Sequence, residues 1–139
     1  MTYPPAIVDT NIVVAGLLTK NEASPVARIL DGMLSAAFPF AVSEALLAEY
    51  HAVLVRPGLR NLHRLTIAQL ETILTDLAQN AIELRPAPAP AAPDPGDQLF
   101  WGLLAARADL VLVTGNKLLP RAAARRGHVV SALAFIASV

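Results

Sequence analysis

There is no cysteine in this chain, which excludes disulfides, thiolate metal centres and a cysteine nucleophile and fits a reducing compartment. Charge is scarce too: 16% of the residues are Asp, Glu, Lys or Arg, and 11 bases balance 11 acids to a formal net charge of zero. A chain without net charge sets up no global field for polyanions, so any contact with nucleic acid has to be local. No uncharged run approaches the roughly 18 residues that a membrane helix needs. The N-terminus lacks the basic start and apolar block of a signal peptide, and the expectation is a cytoplasmic protein with no membrane association. Hairpin signals such as Asn-Gly between strands are missing, which argues against an antiparallel meander.

Apolar residues are what the chain has in excess. They make up 55% of it, and the mean hydropathy of +0.50 is high for a protein exposed to water on all sides. Part of the surface is therefore expected to be covered by another subunit, most simply in a homodimer. The 139 residues suit one domain, 1–139, large enough to bury a proper core.

Short apolar runs alternate with helical patterns along the chain. Strands are expected at Ala6 to Val8, Phe40 to Val42, Ala81 to Leu84, Leu110 to Thr114 and His128 to Val130. Ser43 is placed to cap a helix whose apolar stripe is Leu46, Leu47, Tyr50, Val53 and Leu54. Leu70, Ile73, Leu74 and Leu77 mark a second helix, Asp97 to Arg107 a third and Leu118 to Arg125 a fourth. Strands separated by helices predict the α/β class, with a mostly parallel sheet covered on both faces. The segment "RPAPAPAAPDPGD" holds five of the 11 prolines and reads as a stiff, extended connection inside that domain.

Several acids fall where such a sheet binds ligands, beyond the carboxyl ends of its strands. Asp9 follows the first strand in "PAIVDTNIVVAGLL", and Asn116 lies two residues past Thr114 in "LVLVTGNK". Asp94 and Asp97 open a helix in "DPGDQLFW". Glu49 has Leu46 and Val53 as its helical neighbours, so an acid stands at the edge of a buried stripe. Acids from separate segments meeting at one sheet edge repel each other unless a cation neutralises them, and hard oxygen ligands select magnesium or manganese over zinc.

Taken together, "IVDTNIVVAGLL", "SEALLAEYHAVLVRP" and "DPGDQLFWGLLAARADLVLVTGNKLL" resemble PIN domains, the metal-dependent ribonuclease fold of VapC-like toxins in toxin-antitoxin pairs, across nearly the whole chain. The resemblance implies a PIN-like α/β/α sandwich with a parallel sheet, and an acidic pocket that holds one or two divalent ions, Mg2+ or Mn2+, for hydrolysing the phosphodiester bonds of single-stranded RNA. It assigns Asp9, Glu49 and Asp97 as the first three acids and puts Asn116 where the family often has a fourth. Asp94 belongs to the Asp-Pro-x-Asp form of one branch and is an accessory metal ligand; Asn11 and Thr114 match polar residues that line or orient the pocket. It also implies a homodimer and a cognate antitoxin as partners.

Other readings of the same residues stand beside these. Asp9 is placed to cap a helix starting near Asn11, and Asp94, Pro95 and Asp97 make a good helix start with no chemistry at all. Glu49 can extend to solvent from the edge of its stripe. Phe100 and Trp101 read as core or subunit contacts. Arg56, Arg60, His63 and Arg64, and further on Arg121, Arg125 and Arg126, read as solvated faces or as local holds for phosphates. An aspartate-nucleophile phosphatase also has an Asp after its first strand but needs a second two residues on, where this chain has Asn11. The alternative to an enzyme is a PIN-like binding module for RNA or a protein that has lost its metal through Asn116.

Overall fold

The computed structural model describes residues 4–92, 95–115 and 128–139. Five short strands, β1 (Ala6–Val8), β2 (Ala41–Val42), β3 (Ile82–Glu83), β4 (Val111–Val113) and β5 (His128–Val130), are all parallel to their neighbours. β1 pairs with β4 in the register Ala6↔Val111 to Val8↔Val113, and β4 pairs with β5. β2 pairs with β3, and this pair meets β1 through a bridge between Ala6 and Phe40, with the Ala6 N–H donating to the Pro39 carbonyl at 3.0 Å. The resulting spatial order is β3-β2-β1-β4-β5. All five expected strands are present, three of them one or two residues shorter than their apolar runs.

Seven helices surround this sheet among the described residues: α1 (Thr10–Leu18), α2 (Pro25–Leu34), α3 (Glu44–Leu54), α4 (Pro57–His63), α5 (Ile67–Asn80), α6 (Gln98–Ala106) and α7 (Ala132–Ser138). The stripe read for α3 is real: Leu46, Tyr50 and Leu54 are fully buried, and Ser43 caps the helix by accepting the Leu46 N–H at 3.1 Å. Each such buried leucine contributes about 2 kcal/mol. α5 buries Leu70 and Leu77 and starts in a reciprocal capping box between Thr66 and Gln69. The helix expected from Asp97 to Arg107 begins one residue later, because Pro95–Asp97 forms a 3-10 turn that leads into it. The helix expected at Leu118 to Arg125 lies outside the described residues.

Helices α1, α2, α3 and α5 pack on one another, α7 packs on α2, and α6 packs against β4, which gives the parallel-sheet α/β/α arrangement. The closest helix contact depends on Gly16, where a Cβ would lie 2.8 Å from the Val26 carbonyl and 2.9 Å from the Leu30 Cβ, so only glycine lets α1 and α2 approach this far. The proline-rich segment is extended, as expected, and is clipped onto α6. The Ala87 N–H donates to the Gly102 carbonyl at 3.0 Å, and the Gln98 side chain bonds to both Ala92 and Pro90. Phe100 and Trp101 are buried, on the face that this clip covers.

Candidate active site at the ends of β1 and β4

In the order β3-β2-β1-β4-β5 the chain leaves β1 towards β2 and enters β4 from the other side, so the topological switch point lies between β1 and β4. Open α/β sheets bind ligands at that point, beyond the strand ends. Asp9 ends β1 and Thr114 ends β4. The Asp9 N–H continues the sheet by donating to the Val113 carbonyl at 2.9 Å, while the Asp9 carbonyl accepts the Ile12 and Val13 amides and starts α1. Its carboxylate does not cap that helix. It turns instead across the switch point, where Oδ2 accepts the Thr114 hydroxyl at 2.6 Å, and the residue is only 7% exposed.

The next residue gathers a second acid. Thr10 is buried on the first turn of α1, and its hydroxyl donates to Oε2 of the half-buried Glu49, brought there by α3. Tyr50, beside Glu49 and fully buried, donates its hydroxyl to the Val8 carbonyl at 2.5 Å and so fastens α3 to the end of β1. Burial first, then the negative charges of Asp9 and Glu49, push the Tyr50 phenol well above its ordinary ionisation range. Both carboxylates are therefore close enough to act on one buried hydroxyl. Among the described residues no Lys, Arg or His lies within ion-pair distance of either acid; the one ion pair is the surface contact of Arg107 with Asp109.

Of the residues picked out from the sequence, the structure joins Asp9 to Thr114 by a hydrogen bond, and Glu49 bonds to Thr10, the residue after Asp9. Asn11 is exposed on the first turn of α1. Asp97 is half-buried at the N-cap position of α6; among the described residues no group of three or more Asp, Glu or His side chains is placed to hold one ion. Asp94 and Asn116 lie outside the described residues, as do Arg121, Arg125 and Arg126. Two participants were not singled out. Thr10 was passed over although it directly follows the first acid, and Tyr50 was read only as a member of an apolar stripe. The signal for Tyr50 was present, since a buried tyrosine in such a stripe has a hydroxyl that must find an acceptor.

A parallel α/β sheet with carboxylates beside its switch point places acids where open sheets of this class bind their ligands. The model of the PIN domain matches residues 5–118 of this chain, which belongs to the PIN domain family. PIN domains are in general nucleases, hydrolases that use divalent metal ions. Comparison with curated proteins returned no match. Carboxylate oxygens are the chemistry a hard cation takes: Mg2+ retains several waters and needs only one or two carboxylates, and among the described residues neither Asp9 nor Glu49 has a Lys, Arg or His within ion-pair distance. No helix among the described residues is long and apolar enough to cross a membrane.

Proposed function

We propose that this protein is a divalent-metal-dependent endoribonuclease that hydrolyses phosphodiester bonds of single-stranded RNA and acts in the cytoplasm as the toxin of a toxin-antitoxin pair. The observation that supports the nuclease reading is that Asp9 and Glu49 are each held by a threonine hydroxyl at the switch point, with no Lys, Arg or His within ion-pair distance of either among the described residues. A cation bound between neighbouring carboxylates relieves their mutual repulsion. One oxygen of each carboxylate is engaged by a threonine hydroxyl, which leaves Asp9 Oδ1 and Glu49 Oε1 to hold Mg2+ or Mn2+. Asp97 and Asp94, from the start of α6, and Asn116, after β4, complete the proposed set. When bound, the ion supplies Lewis-acid charge neutralisation at the phosphate.

The chain's own part is positional and acid-base. Thr114 and Thr10 each hold one oxygen of a carboxylate, of Asp9 and Glu49 respectively, and Tyr50 holds the β1 end that precedes Asp9. A carboxylate of the set takes the proton of the attacking water, and no covalent enzyme intermediate is needed. The apolar excess, together with exposed Leu62, Ile67 and Leu133, supports a homodimer, with a cognate antitoxin as further partner.

The test is cleavage of a labelled single-stranded RNA with and without Mn2+, alongside thermal unfolding at rising Mn2+. Cleavage only with the ion is expected, and stabilisation reaches about 2.7 kcal/mol at an ion concentration 100 times Kd. No cleavage and no rise in melting temperature would leave the binding-module reading in its place.

A further inference from the structure

The corner between α4 and α5 carries a feature that the acid pair does not explain. Arg60 lies on α4, Arg56 immediately before it and Arg64 at its left-handed C-terminal end, so three exposed positive charges cluster on and beside this short helix. None of the residues of α4 is fully buried. Among the described residues none of the three arginines has an acidic partner. Arg60, Asn61 and Arg64, with Thr66, line a concavity of about 400 Å3 floored by Pro57 and Leu65, and no acid contributes to it.

The backbone beneath this concavity is firmly built. The Leu65 N–H donates to Nδ1 of His63, whose Nε2 pairs with the Leu54 carbonyl at 3.0 Å, and the Thr66–Gln69 capping box follows at once. Arg64 itself adopts a left-handed conformation, φ 59°, at the end of α4, where glycine or asparagine is the ordinary choice.

We propose that this corner is a phosphate-binding site, in which Arg60 and Arg64 hold a backbone phosphate of a single-stranded nucleic acid with the Asn61 amide as a further donor. α4 packs against both α1 and α3, the helices that carry Thr10 and Glu49. That the phosphate belongs to a nucleic-acid strand rests on the nuclease reading; the anion site itself rests on the arginines and their concavity. The site anchors substrate and takes no part in bond breaking.

The experiment is fluorescence anisotropy of the full chain with a labelled single-stranded RNA of about 15 nucleotides in EDTA, where nothing is cleaved, across a salt series. Arg60→Gln/Arg64→Gln should weaken binding by about tenfold at low salt and lower the log–log salt slope by about 1.4, two phosphate contacts at roughly 0.7 each. Arg60→Lys/Arg64→Lys should recover most of the affinity, and the far-UV circular dichroism and melting of both variants should match the parent. Unchanged affinity and slope in the glutamine variant overturn the site. Displacement of RNA by polyglutamate as effectively as by unlabelled RNA overturns the phosphate assignment in favour of an acidic protein partner, and displacement by a few millimolar inorganic phosphate as effectively as by RNA overturns the strand. Because binding is read without metal, failure of the site is distinct from failure of the nuclease reading, which shows as absence of Mn2+-dependent cleavage in the parent.

Discussion

At the switch point between β1 and β4, Asp9 is 7% exposed, Tyr50 and the surrounding strand residues are buried, and hydroxyls hold the carboxylates in place. At the corner between α4 and α5, Arg60, Asn61 and Arg64 are exposed, and only the backbone beneath them is fixed. The first region spends core stability to hold charge in one geometry; the second holds charge loosely over a rigid turn. The difference follows from electrostatics. Charge buried beside a low-dielectric core acts strongly over a few ångströms but needs exact satisfaction, whereas exposed charge acts weakly at any one contact and gains from number.

The largest effect should come from breaking the buried side. Asp9→Asn removes a full charge from the acid pair, and cleavage should fall by roughly 100-fold or more while the melting temperature stays or rises, since repulsion from Glu49 is relieved. Thr10→Val and Thr114→Val keep both acids but release one oxygen of each, and should cost about 10- to 100-fold in Mn2+ affinity or rate. Single-turnover rates and Mn2+ titrations on the three proteins give the ranking. Equal rates in the threonine variants and the parent would mean that the hydroxyls do not orient the carboxylates.

Tyr50→Phe separates stability from chemistry in the same region. It leaves the buried Val8 carbonyl without its phenol donor and should cost about 1–3 kcal/mol in urea unfolding at neutral pH. The pH dependence has a definite sign. Burial and the two acids raise the Tyr50 ionisation in the folded protein above the ordinary phenol value of about 10, so the neutral phenol's contribution is complete below that pH and is lost as pH rises beyond it. The gap in stability between parent and Tyr50→Phe should therefore narrow above about pH 10. A gap that stays constant from pH 8 to pH 11 would show that Tyr50 ionises in the fold as it does unfolded.

The same contrast decides what could be read from the sequence. Buried parallel strands appear as continuous apolar runs, which made β1, β2 and β4 legible, and the shorter apolar runs around β3 and β5 were read as strands too. Also legible were α3 and α5, whose stripes face the core. α2 was not read, although Ser24 and Pro25 are an N-cap and first-turn pair and Val26, Ile29, Leu30 and Met33 recur at helical spacing. α4 has no buried residue, and α7 is a single seven-residue segment with only Phe135 buried; periodicity carries little signal in either. For the site, position after a strand identified Asp9, the edge of a stripe identified Glu49, and the family resemblance pointed to Thr114. Orientation was not legible. Nothing in the spacing of residues 94 to 97 says that a 3-10 turn sets the direction of Asp97, or that the Asp9 carboxylate leaves its own helix for Thr114.

The smallest effect sharpens the exposed side. Arg64 holds φ 59°, a conformation that costs an L-residue other than Asn or Gly roughly 1–2 kcal/mol. Glycine removes that strain but gains about 0.5–1 kcal/mol of freedom in the unfolded chain, so Arg64→Gly should stabilise the protein by a net of about 0.5–1 kcal/mol. The accompanying loss is charge: the same variant should bind single-stranded RNA several-fold more weakly, with a salt slope lower by about 0.7. Stability gained and affinity lost in one substitution would show that the corner keeps a strained arginine for its charge. If Arg64→Gly melts higher and binds RNA with parental affinity and slope, the strain has no functional return, and Arg64 is only a solvated cap of α4.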